Sequence, residues 1–340
     1  LPENSNVPFD VPDKIKETIF MSRFFAVVSL CLCILLVAGC GGDGDSSSNS
    51  TELSNWQLLK PLSPGQNLWA VTYGGGNYIA VGESGTVMTS ADSVSWTCIH
   101  LGLSDPETDR WEEGSIYSVT YGGGMFVAVG DWGAIMTSPD GLDWTMQSHV
   151  TTGSLNDVTY GNGKFVAVSR NGTILTSTDA VGWIAYAPWA TPEVDIIISL
   201  FGVSYGGGLY VAVGWPGRIF TSPDGIEWTR RTSGTENALY EITYGAGRFV
   251  AVGDMGTILT SPDGINWTTQ TSGTTNKLSG VTYGGGYYVA VGINGTLLTS
   301  PDGINWTSRP SGTSNNLLDV ANNAGKFMAV GDSGAIVGNW

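Results

Sequence analysis

The chain has 340 residues and a formal net charge of −16, so it lacks the basic footprint that nucleic acid or an anionic polysaccharide requires, and neither is an expected partner. Its 41% hydrophobic residues suffice for a packed core, and its 49 glycines point to many tight turns. The length allows one large domain or two.

The first 20 residues carry Glu3, Asp10, Asp13 and Glu17, the wrong charge for the front of an export signal, and read as an over-extended translation start. Residues 21–39 then run from a short basic start at Met21 and Arg23, through an apolar stretch over 24–38, to Val37, Ala38 and Gly39 before Cys40. Fifteen apolar residues are short for a membrane span, which needs about 20. Charge, apolar run and small residues before a cysteine, in that order, resemble a bacterial lipoprotein signal, which implies lipid attachment at Cys40. Residues 40–54 are rich in Gly, Asp, Ser and Asn and predict a flexible tether. Gly41 rather than Asp follows the lipidated cysteine, which favours the outer membrane, facing the periplasm or the surface. With Cys31, Cys33 and Cys40 removed or modified, only Cys98 remains, so the mature form has no internal disulfide.

From residue 55 onward one segment recurs seven times. Its first apolar anchors are Val71, Val119, Val158, Val203, Ile242, Val281 and Val320, spaced 48, 39, 45, 39, 39 and 39 residues apart. A fixed period of this length marks a repeat architecture. Within a copy, short runs rich in Val, Ile, Thr, Tyr and Phe alternate with turn residues, which predicts four strands. In the clearest copy these are A over 239–244, B over 249–253, C over 257–261 and D from Trp267. Gly-rich triplets join A to B, and Ser-Pro-Asp-Gly joins C to D. Four strands in about 40 residues, repeated seven times, predict an all-β, seven-bladed propeller of four-stranded blades over residues 55–340. Trp56 precedes the first strand A while the last copy stops after its strand C. Residues 55–63 should therefore supply strand D to the blade whose other strands span 317–337, closing the ring.

Ser-Pro-Asp-Gly-x-x-Trp, at residues 138–144, 222–228, 261–267 and 300–306, resembles a shortened Asp-box (BNR-like) motif. Such boxes decorate sialidase-type propellers, and the repeat as a whole looks like the photosystem II assembly-factor-like propellers and related exported bacterial proteins. The resemblance implies a seven-bladed fold and no particular chemistry, because these boxes are hairpin turns away from the active site. In the box, Ser and Asp are read as bonding turn backbone and Trp as packing between blades.

No catalytic set emerges. A sialidase-like clamp needs three arginines in register. Arg170 and Arg218 could reach the top face, but Arg230, Arg231 and Arg309 fall on outer strands. Asp157, Glu241 and Asp319 precede the Val anchors and read as solvated residues at the channel mouth, with a glycosidase pair as the sharper alternative. His100 and His149 have no spaced partner for a metal and read as surface-loop residues. Cys98 reads as a packing residue of strand D. The chain is therefore read as non-enzymatic, without metal or cofactor.

Seven of the 13 tryptophans are accounted for by strand D. Of the rest, Trp111 and Trp189 lie in the two long D-to-A links, Trp132 and Trp215 in B-to-C loops, and Trp69 at the start of a strand A. In a propeller these positions share one face. Trp69, Tyr117, Trp132, Arg170, Trp215 and Tyr240, flanked by Trp111 and Trp189, are the expected binding surface, since exposed aromatics serve recognition of proteins and sugar rings. The expectation is a monomeric, lipid-anchored envelope scaffold or assembly factor binding an envelope or extracellular protein, with a neutral-glycan lectin or glycosidase as the alternative and a passive repeat protein as a third.

Overall fold

The computed structural model describes residues 31–33, 53, 55–59, 65–103, 114–147, 150–186 and 198–339. Cys40, Trp111, His149, Trp189 and the N-terminal boundaries lie outside the described residues, apart from Cys31–Cys33.

Seven antiparallel sheets form seven blades. Strands A, innermost in the ring, are Leu68–Gly74, Ile116–Gly122, Leu155–Gly161, Ser199–Gly206, Leu239–Gly245, Leu278–Gly284 and Leu317–Asn323. In blade five the remaining strands are Arg248–Gly253, Ile258–Ser261 and Thr268–Gln270, so strand D there begins one residue later than Trp267. Blade seven is completed by Trp56–Leu59, which pairs with Ile336–Asn339 in the register Trp56↔Asn339 to Leu59↔Ile336. The chain thus closes its own ring, as the position of Trp56 predicts. The first blade carries a fifth strand, Cys31–Cys33, antiparallel to Trp96–His100 at its outer edge. A chain cleaved before Cys40 would leave that edge open.

The repeat's apolar alternation explains the packing. Along strand B of blade five, Phe249 and Ala251 join the cluster shared with blade four, while Val250 and Val252 join the cluster shared with blade six. Period-two side chains therefore serve two neighbours at once, and strand B is buried throughout after its first residue. Cys98 is buried in the cluster of blade one. His100 is exposed at the end of strand D, with Nδ1 3.2 Å from Thr86 Oγ1.

The C-to-D turns behave as the Asp-box reading expects. Asp263 Oδ1 accepts the backbone N–H of Ile265 and Asn266, each at 2.8 Å, and Ser261 Oγ donates to it at 2.9 Å. Trp267 Nε1 donates to Gly264 O at 3.0 Å. The turn also docks on the preceding blade: Thr89 Oγ1 of blade one donates to Gly141 O of blade two at 2.6 Å.

At the A-to-B end, five of the seven inner strands carry a tyrosine over a glycine of the blade before them. A Cβ at Gly74, Gly122, Gly161, Gly206 or Gly245 would lie 2.0–2.2 Å from the ring of Tyr121, Tyr160, Tyr205, Tyr244 or Tyr283. Only glycine admits that approach. Around the ring, blade seven departs from this pattern and places Asn322 against Gly284.

Candidate functional site

The D-to-A end of the inner strands is built differently. In every blade, strand A slips register near its start, after its first residue or, in blade four, its second, leaving one residue of strand A without a partner on strand B. These bulged residues are Trp69, Tyr117, Asn156, Phe201, Tyr240, Ser279 and Leu318. All seven line one cavity of about 480 Å³ at the mouth of the central channel. A bulge re-aims a side chain at the rim of a sheet, and here seven do so around one axis.

The walls are aromatic and unequal. Phe201 and Tyr240 stack with ring centroids 5.3 Å apart, and Trp69 meets Tyr117 at 6.1 Å. Lys277 Nζ lies 3.9 Å from the centroid of the Tyr240 ring. Tyr117 donates to Asp131 Oδ1 at 3.1 Å and Tyr240 to Asp254 Oδ2 at 3.2 Å. Burial first, then the neighbouring carboxylate, pushes both phenols up to about 12, so they remain donors at neutral pH. Arg170, exposed on its B-to-C turn, adds a second cation to the wall. Trp69 Nε1 and Ser279 Oγ are buried without a hydrogen-bond partner among the described residues.

Beneath the mouth the channel narrows to a ring formed by the next residue of each strand A: Ala70, Ser118, Asp157, Gly202, Glu241, Gly280 and Asp319. Small residues alternate with the acids because there is no room otherwise. A Cβ at Gly280 would fall 2.7 Å from Asp319 Cα, and one at Gly202 would fall 3.0 Å from Glu241 Cα. Asp157 accepts from Ser118 Oγ at 2.6 Å, Val158 N at 2.8 Å and Val203 N at 2.7 Å, tying blades two, three and four together. Asp319 does the same across the ring closure, accepting from Val320 N at 2.7 Å and Val71 N at 2.9 Å. Glu241 accepts from Ile242 N of its own blade at 2.8 Å.

The three acids line the mouth and channel, where the sequence places them, but are half-buried rather than freely solvated. Desolvation raises Asp157, raises Glu241 well above the usual carboxylate range with the help of the Asp157 and Asp319 charges, and raises Asp319 to about 6. Among the described residues, no group of three His, Cys, Asp or Glu side chains is placed to hold a metal ion.

Of the residues expected to form a binding surface, the structure brings Trp69, Tyr117, Arg170 and Tyr240 to the mouth and leaves two outside it. Trp132 packs on the D-to-A link beside it: a Cβ at Gly114 would lie 2.3 Å from its ring. Trp215 is 47% exposed at the end of strand B of blade four, away from the cavity lining. The cavity also takes in residues outside that expected surface, namely Phe201, Lys277, Asn156, Ser279 and Leu318. Their shared position, two before the Val anchor, is the signal that would have found the last three.

No family model matches the sequence, and no curated protein matches it. Solved structures do match over most of the chain. YCF48 from Cyanidioschyzon merolae aligns with a TM-score of 0.67 at 18% identity, over 83% of this chain and 98% of that one. A structure of YCF48 bound to D1 peptide aligns with a TM-score of 0.65 at 19% identity, over 86% and 96%. A catalytically inactive virginiamycin B lyase from Staphylococcus aureus, with quinupristin, aligns with a TM-score of 0.71 at 13% identity, over 84% and 98%. At these identities the chain shares with YCF48 and the lyase the propeller fold.

Proposed function

We propose that this chain is a lipid-anchored, extracytoplasmic scaffold or assembly factor that holds a segment of a partner protein over the mouth of its ring. The observation carrying the reading is the convergence of seven bulged side chains, four of them aromatic, on one open cavity. Large, rigid aromatic rings around a concavity are the usual anchors of protein recognition. The similarity to YCF48, which has been seen with a bound peptide, supports the same use of the fold. Attachment through Cys40 rests on the order of basic start, apolar run and small residues in the sequence, and the outer membrane on Gly41 standing after it. The role is binding rather than catalysis: Asp157 and Asp319 use both carboxylate oxygens to hold backbone amides of two blades.

The test is capture from envelope extract by the full chain and by a Trp69→Ser/Tyr240→Ser variant, which installs the residue that blade six already carries at Ser279. A protein retained by the parent and lost by the variant is the expected result. Equal retention by both contradicts the reading. A neutral glycan showing the parent-only pattern would replace it with the carbohydrate-binding alternative. Incorporation of labelled fatty acid, expected in the parent and absent in Cys40→Ala, tests the anchor separately.

A further inference from the structure

The same groove recurs on the outer edges of blades four and five, framed by the B-to-C turn, the end of strand D and the link that follows. In blade five it is lined by Thr257, Thr269 and Gln270. In blade four, where it encloses about 450 Å³, Arg218, Arg230 and Arg231 take those places.

One of the three arginines has a structural explanation. Arg231 Nε donates to Thr221 Oγ1 at 2.9 Å, the strap that Gln270 makes to Thr260 Oγ1 at 2.8 Å and Arg309 to Thr299 Oγ1 at 3.1 Å. The other two do not. Arg218 stands where blades five and six carry Thr257 and Thr296, whose hydroxyls accept from Asn237 and Asn276. Its Nε is buried with no hydrogen-bond partner among the described residues. Arg230 pairs with Phe220 on the neighbouring strand and carries the like charge nearest in effect to Arg218. Burial and Arg230 both weaken the hold of Arg218 on its proton, and the charge of Glu236 only partly offsets them. In a chain of net charge −16, two guanidinium groups set against each other over an open groove are an unfavourable arrangement until an anion lies between them.

We propose that the blade-four groove binds an oxyanion, the carboxylate or phosphate group of a ligand, held jointly by Arg218 and Arg230. The planar forks of two arginines suit the oxygens of such a group better than two lysines would. Pro216 lines the groove beside them, and the exposed ring of Trp215 precedes it in the same turn, giving the anion's carrier an apolar surface to lie on. The site is separate from the mouth and stands whether or not the mouth binds protein.

Calorimetric titration of the full chain at neutral pH and low salt, with inorganic phosphate and separately with acetate, tests it. Saturable binding of phosphate alone identifies a phosphoryl source, of acetate alone a carboxylate source, and of both the shared oxyanion chemistry. Arg218→Thr and Arg230→Thr, which restore the blade-five residues, should each weaken binding about tenfold or more. Glu236→Gln should tighten it, and Arg231→Gln, which removes a charge from the groove wall, should weaken it less than either of those two. Without anion, Arg230→Thr should also melt at a higher temperature than the parent, which guards against reading misfolding as lost binding. The proposal is overturned if neither anion binds saturably, or if Arg230→Thr binds as well as the parent.

Discussion

The two ends of the seven inner strands obey opposite rules. At the A-to-B end a tyrosine covers a glycine of the preceding blade at five of the junctions, and a Cβ at any of those glycines would sit inside the ring. At the other end a register slip frees one residue per blade, and the seven freed residues are Trp69, Tyr117, Asn156, Phe201, Tyr240, Ser279 and Leu318. Repetition persists where each blade must fit the next, because one contact geometry admits one pair of residues. It lapses where the side chain faces a cavity and no neighbouring blade dictates its shape. Under the proposed function, the end where the copies disagree is the end that binds.

The largest effect is expected from breaking the regular end. Gly206→Ala places a Cβ 2.1 Å from Tyr244 Cγ and should cost about 3 kcal/mol in denaturant unfolding through overpacking. An unchanged midpoint would show that the tyrosine ladder yields easily. Next is the neck. Asp157→Ala strands the amides of Val158 and Val203 and should cost about 2 kcal/mol, with Asp157→Asn recovering part of it. The mouth should respond the other way round. Tyr240→Ser is expected to lower stability by about 1 kcal/mol while weakening partner binding about 30-fold. Equal losses in folding and binding would make Tyr240 a packing residue.

The pH dependence sharpens the contrast between inner and outer carboxylates. Folding raises the neck acids, with Asp319 at about 6, so their contribution is fully present below the unfolded carboxylate value near 4 and is lost as pH rises through about 6. Folding lowers the turn aspartates, chiefly through the backbone N–H groups they accept, so Asp140, Asp224 and Asp263 contribute above about pH 4 and lose that contribution as pH falls. The melting temperature should therefore be highest between about pH 4 and 6. Glu241→Gln should flatten its decline on the alkaline side only, and a parallel decline in the variant would remove the neck as its cause. The smallest effect is assigned to Trp215→Ala, within about 0.5 kcal/mol of the parent, because the side chain is half exposed.

Periodicity and turn chemistry made the blades, their number and the ring closure legible, because each rests on local residue types repeated in register. The Asp-box turns were legible for the same reason. The mouth was legible in part: Trp69, Tyr117, Arg170 and Tyr240 stand out by type. Asn156, Ser279 and Leu318 share their position but not their chemistry, so only the bulge reveals them. Trp132 is an aromatic like Trp69, yet the glycine at 114 admits its ring close against the neighbouring link. The neck acids were placed at the channel by the sequence, but their half-burial was not legible, because only ring closure brings neighbouring blades around a strand's start.

The central claim, that the varied end of the ring is where a partner protein sits, is tested most directly by photo-crosslinking in the envelope. A photoreactive phenylalanine replaces Tyr240 at the mouth or, as the matched control, Tyr287 at the opposite end of the ring. The account predicts a discrete protein adduct from position 240 and none from 287. Adducts from 287 alone, from both positions equally, or from neither would contradict it.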